Sequence, residues 1–110
     1  MIRIDLVRGT NGWCGYTVQG HAGLDDYGKD ILCAAVSALT IATANGLSAQ
    51  GVALAECSAE ADRICLRLAD DLSPDAQVKA QAILETYVLA VEALNEDYDD
   101  AFIQIHRTNR

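Results

Sequence analysis

From about Ile31 to Ala49 the spacing predicts a helix with small and apolar residues on nearly every side. This constrains the fold more than any other feature. A helix that is apolar all round cannot lie on a surface with one stripe covered, so it must be buried on more than one face. Ser37, Thr40, Thr43 and Asn45 interrupt the segment and alanine is frequent in it, so it is not the uninterrupted run of about 20 apolar residues that a membrane span needs. Asp30 is a good N-cap residue, which makes Ile31, Leu32 and Cys33 the first three helical positions, and Gly46 is expected to loosen the last turns.

The rest of the chain supplies the cover. Ile2, Ile4 and Leu6 alternate with Arg3 and Asp5 as in a half-buried strand, and Gly9-Thr10-Asn11-Gly12 has hairpin-turn chemistry. Cys14, Tyr16 and Val18 alternate with Gly15, Thr17 and Gln19, so a second strand ends near Gly20 and delivers His21 at its tip. Residues 22–29 read as a loop. After Gly51, Val52 to Cys57 and then Ile64, Leu66 and Leu68 read as a second hairpin about a polar turn near Ser58 to Asp62. Ser73-Pro74 is an N-cap followed by a first-turn proline. It opens a second long helix in which Ala76, Ala80, Ile83, Tyr87, Val91 and Leu94 recur at helical spacing. Asp97 to Asp100 ends that helix, and Ala101 to Ile105 reads as a last strand. The order ββαββαβ predicts an α/β (α+β) two-layer sandwich, one mixed or antiparallel sheet with two helices packed on it. With 110 residues, 51% of them hydrophobic, there is material for one domain with a real core, spanning residues 1–110.

Charge narrows the partners. A net charge of −8 and a pI near 4.4 make a nucleic-acid backbone an unsuitable direct partner and favour basic peptides or proteins. The acidic residues gather at Asp70-Asp71 and at Glu92, Glu96, Asp97, Asp99 and Asp100, where a solvated face accounts for them. Met1-Ile2-Arg3-Ile4-Asp5 carries charges where a signal peptide needs an apolar core, so a cytoplasmic protein with no membrane partner is expected. In that setting Cys14, Cys33, Cys57 and Cys65 are expected as reduced thiols. No Cys-x-x-Cys pair occurs and His21 and His106 stand far apart, so neither a metal nor another cofactor is expected.

His21 and Cys33 remain as candidates for chemistry. A thiol is mostly protonated at neutral pH, but a helix N-terminus or a neighbouring imidazolium favours the thiolate, which is the nucleophile. Cys33 in the first turn of a helix, with a histidine at the preceding strand end, fits that pattern. A small buried hydrophobe beside Ala34 and Ala35 is the competing reading.

The run Gly20-His21-Ala22 followed by Gly28-Lys29-Asp30-Ile31-Leu32-Cys33-Ala34-Ala35-Val36-Ser37 resembles the signature of the ribosomal-processing cysteine protease (Prp) family. The departures are modest: Lys29 stands before Asp30, and Leu32 takes a place that often holds another branched aliphatic. The resemblance implies that Cys33 is the nucleophile and His21 its base. It also implies cleavage of the N-terminal extension of the large-subunit ribosomal protein L-twenty-seven, and a homodimer. The apolar first helix points to a homodimer as well. Gly20, Asp30 and Ser37 are supporting positions. Asp30 can orient His21 or only cap the helix, and Ser37 can line the pocket or bond back to the carbonyl four residues earlier. Gly23, Tyr27 and Gly28 belong to an expected substrate loop. Three alternatives stay open: a peptidase of another protein, a non-catalytic ribosome-associated module, and a redox sensor with Cys14 as the resolving thiol.

Overall fold

The computed structural model describes residues 1–20, 30–58 and 63–110, with only the backbone described at Asp30 and at 54–58. Seven elements follow in the predicted order: β1 (Ile2–Gly9), β2 (Gly12–Gln19), α1 (Asp30–Ala49), β3 (Ala53–Ser58), β4 (Arg63–Leu68), α2 (Pro74–Asp97) and β5 (Ile103–Asn109). The strands form one sheet in the order β3-β4-β2-β1-β5. Neighbours are antiparallel except β1 and β5, which run parallel, so the sheet is mixed. Parallel strands require a crossover, and the long α2 provides it.

Ile2, Ile4, Leu6, Tyr16, Val18, Leu66, Leu68 and Ile103 of the sheet share one buried cluster with Leu32, Val36, Ala44 and Leu47 of α1 and with Ala80, Leu84, Tyr87, Val88 and Val91 of α2. Arg3, Asp5, Thr17, Arg63, Cys65 and Arg67 alternate with those residues and stay at least partly exposed. Both helices therefore cover the same face. Ser73 caps α2 as its sequence implies, its hydroxyl accepting from the Ala76 N–H at 3.2 Å.

Four details depart from the sequence reading. The core face of β2 changes phase at its start: Val7 pairs with Gly15 and Arg8 with Trp13, which leaves Cys14 as the extra residue of a bulge. Trp13 therefore enters the core, while Cys14 is only half-buried, its Sγ 3.7 Å from the Gly12 carbonyl. The Gln81 side chain satisfies the bulged backbone, accepting from the Trp13 N–H at 2.8 Å and donating to the Trp13 carbonyl at 2.7 Å. Trp13 Nε1 also donates to Glu85 at 2.7 Å, so α2 is tied to β2 by directional bonds.

Second, β5 begins two residues later than predicted and runs on to Asn109, because its parallel pairing with β1 continues to the Arg8–Asn109 pair. Third, Gly46 does not loosen α1, which is helical through Ala49 and ends before Gly51 at φ 70°. Fourth, α1 is buried on one side only. Leu32, Val36, Thr40, Ala44 and Leu47 face inward, whereas Ile31, Ala34, Ala38, Ile41 and Ala42 are exposed. One sheet face and one neighbouring helix cover about half of a helical cylinder. A mean hydropathy of 1.6 over Ile31–Ala49 would suit a membrane span, but the inward row is part of the core under the sheet.

Candidate active site

The topology determines which end of the sheet carries chemistry. The Val52 N–H donates to the Leu47 carbonyl at 3.1 Å and the Ala69 N–H to the Val52 carbonyl at 2.8 Å, so the last turn of α1 lies beside the Leu68 end of β4. The other end of β4, Arg63, pairs with Gln19 at the end of β2. Between those ends the Tyr16 hydroxyl of β2 donates to the Thr40 carbonyl at 2.7 Å, so α1 runs back along β2 from its last turn toward the Gln19 end. The start of α1 therefore lies at the end of the sheet where β2 finishes, and Cys33 and Gly20 are brought to the same end.

α1 starts at Asp30 itself, one residue before the reading that made Asp30 its cap, so Cys33 is the fourth helical residue and still in the first turn. The first N–H groups of a helix have no partner within it and concentrate positive potential, which favours an anion there. Cys33 is half-buried and packs against the core cluster. Ser37, one turn on, is exposed; the bond to a carbonyl four residues earlier is seen instead from Thr43 to Leu39 at 2.7 Å in α1 and from Thr86 to Ala82 at 2.9 Å in α2. Gly20 has φ 87°, and a Cβ there would stand 2.6 Å from the Met1 carbonyl oxygen. Only glycine can turn the chain at this point without strain. His21, Gly23, Tyr27 and Gly28 lie outside the described residues, as does the side chain of Asp30.

Cys14 is two residues into β2 from the Gly9–Gly12 turn, at the opposite end of the sheet from the start of α1. That position does not suit a resolving thiol for Cys33. A hollow of about 680 Å³ lies at that far end too, lined by Thr10, Asn11, Asp70, Pro74 and Arg110 among others, away from Cys33. Among the described residues no three His, Cys, Asp or Glu side chains come together as a metal site requires.

Sequence reasoning missed Tyr16, Thr40 and Tyr87 as a group. The Tyr16 hydroxyl donates to the Thr40 carbonyl at 2.7 Å, the Thr40 and Tyr87 hydroxyls are 2.8 Å apart, and the two tyrosine rings stack with centroids 4.4 Å apart. Burial pushes the Tyr87 hydroxyl up to about 12, partly opposed by its bond to Thr40. The only signal in the sequence was a threonine in the middle of an apolar helix.

Residues 1–104 match the family model described as Cysteine protease Prp. The chain is 26% identical over 87 residues to the ribosomal processing cysteine protease Prp of Bacillus subtilis (strain 168), covering 77% of this chain and 78% of that protein. Its fold is that of the essential ribosomal processing protease Prp from S. aureus. With the form bound to a substrate peptide the TM-score is 0.81 at 22% identity, covering 98% of this chain and 100% of the other. With the form carrying a covalently linked product peptide it is 0.76 at 24%, with the same coverage.

Proposed function

The chain belongs to the cysteine protease Prp family, and from that premise we propose that Cys33 is its nucleophile, His21 its general base, and a ribosomal protein precursor its substrate. The observation that carries this reading is the position of Cys33, in the first turn of α1 at the end of the sheet where β2 runs out toward His21. In the reaction, the His21 imidazole takes the Sγ proton and the thiolate attacks the scissile carbonyl carbon. The oxyanion that forms accepts hydrogen bonds from N–H groups at the start of α1. Collapse of the tetrahedral intermediate breaks the C–N bond, the imidazolium protonates the leaving amine, and water hydrolyses the thioester to regenerate the thiol. Gly20 directs the chain into His21, Asp30 supports the helix start, Ser37 lines the pocket one turn beyond Cys33, and Gly23, Tyr27 and Gly28 contribute to the substrate loop.

The substrate we infer is the N-terminal extension of the large-subunit ribosomal protein L-twenty-seven, cut in the cytoplasm. A net charge of −8 favours encounter with a basic precursor. The covalently linked product peptide of the S. aureus protease supports acyl-enzyme chemistry of this kind. We further infer a homodimer, supported by the uncharged outer face of α1, where Ile31 is 62% and Ile41 47% exposed.

Purified Cys33→Ala and Cys33→Ser are expected to keep the wild-type circular dichroism spectrum and to leave the precursor uncut. Cleavage by either at the wild-type rate would refute the thiol mechanism. Thiol-dependent hydrolysis of other proteins with the precursor untouched would replace the substrate.

A further inference from the structure

Thr40 is the only non-aromatic polar residue buried among the described residues, with no exposed surface. A buried hydroxyl is costly unless it is bonded, and here the hydroxyl and the main-chain carbonyl are both used. Oγ1 meets the Tyr87 hydroxyl of α2 at 2.8 Å, and the carbonyl accepts from the Tyr16 hydroxyl of β2 at 2.7 Å. The second bond ends on the main chain of α1, so it locates the helix itself rather than one of its side chains. An oxygen within a helix has a second lone pair available for it. The remaining inward contacts of α1, from Leu32, Val36, Ala44 and Leu47, are apolar. Such contacts are non-directional and resist sliding or rotation weakly.

The Tyr16 bond joins the two elements that carry the candidate dyad. β2 leaves the sheet through Gly20 into His21, and α1 begins with the turn that holds Cys33. Cys33 and Thr40 lie seven residues apart, within about 20° of two full turns and about 10 Å along the axis. A shift of the helix at Thr40 is therefore carried almost unchanged to the thiol. The stacked Tyr16 and Tyr87 rings, 22° from parallel, restrict each other and so the hydroxyls they carry.

We propose that Tyr16, Thr40 and Tyr87 are positioning residues for the protease, a clamp in which the Tyr16 hydroxyl on the Thr40 carbonyl ties the strand that leads to His21 to the helix that carries Cys33, and the Thr40–Tyr87 hydroxyl pair fixes that helix from the α2 side. The proposal rests on the reading of His21 and Cys33 as the dyad. An error of ~1 Å in reacting groups costs about 100-fold, so release of one directional bond is expected to cost roughly tenfold.

The test measures the iodoacetamide alkylation rate of Cys33 at pH 7, resolved by peptide mapping, together with kcat and KM for precursor cleavage. Tyr16→Phe keeps the ring and removes the β2–α1 bond, and Thr40→Val keeps the shape and the carbonyl but removes the α1–α2 bond to Tyr87. Both are expected to lower alkylation and kcat about tenfold with KM within about twofold, whereas Thr40→Ser stays near wild type. Ile103→Val, a β5 core change away from the clamp, lowers Tm and leaves both rates unchanged. Wild-type rates in Tyr16→Phe and Thr40→Val would overturn the clamp, as would equal losses in Ile103→Val, which would make the effect one of general stability. A wild-type Cys33 that reacts no faster than Cys65, with Cys33→Ala still active, removes the dyad reading and the clamp with it.

Discussion

Adding the same methyl group at Gly20 and at Gly46 has opposite consequences. At Gly20 φ is 87°, where an L side chain is strained by about 1–2 kcal/mol. The new Cβ would also lie 2.6 Å from the Met1 carbonyl oxygen. That carbonyl has little room to retreat, because the next residue is held by the Ile2 N–H bond to the Phe102 carbonyl at 2.9 Å and Arg3 is paired with Gln19. The combined cost is about 2–3 kcal/mol, which for a domain of this size lowers Tm by roughly 8–12 °C. At Gly46 the backbone is helical and a Cβ meets nothing within 4 Å. Alanine there gains about 0.5–1 kcal/mol from helix propensity and lost unfolded-chain entropy, raising Tm by roughly 2–4 °C. Urea and thermal melts of the two variants measure these shifts. Precursor cleavage adds the functional half, since relaxing the turn at Gly20 redirects His21 and is expected to lower kcat at least about tenfold. Gly46, near the far end of α1, leaves kcat unchanged. A Gly20→Ala protein with wild-type Tm and full activity would refute the reasoning.

Tyr87 makes stability fall at alkaline pH: its contribution is complete below pH 10, the ordinary tyrosine value, and is lost as pH rises to about 12 in the folded chain. The loss is at most about 3 kcal/mol, and urea melts of Tyr87→Phe over that range are expected to show a shallower decline; an identical slope would exclude Tyr87 as its source. Sedimentation equilibrium at micromolar concentration is expected to give about twice the 11.8 kDa chain mass and Ile41→Lys to shift it toward one chain, whereas a single-chain mass at every concentration removes the dimer. Cys14→Ser and Cys65→Ser are each expected to cleave normally, and loss of cleavage in a stably folded Cys14→Ser protein would revive the second-thiol reading.

What the sequence alone determined about this protein is local. The alternation of Ile2, Ile4 and Leu6, the Gly9-Thr10-Asn11-Gly12 turn and the Ser73-Pro74 helix start act over a few residues, so their spacing is enough to specify them. The order of elements and the position of Cys33 in the first turn of α1 were legible for the same reason. Tertiary contacts decided the rest. Trp13 rather than Cys14 enters the core because Gln81, far along the chain, satisfies the backbone of a bulge that alternation cannot reveal and Glu85 accepts from the indole N–H. β5 extends to Asn109 because β1 offers a parallel partner that far. α1 keeps an exposed apolar side because one sheet and one helix cover only half of it. Thr40, an interruption in an apolar run when read in sequence, becomes a junction of three elements only once β2 and α2 converge on it. Hydrogen-bond direction and burial depend on which distant groups meet, and residue spacing within one segment carries no information about that meeting.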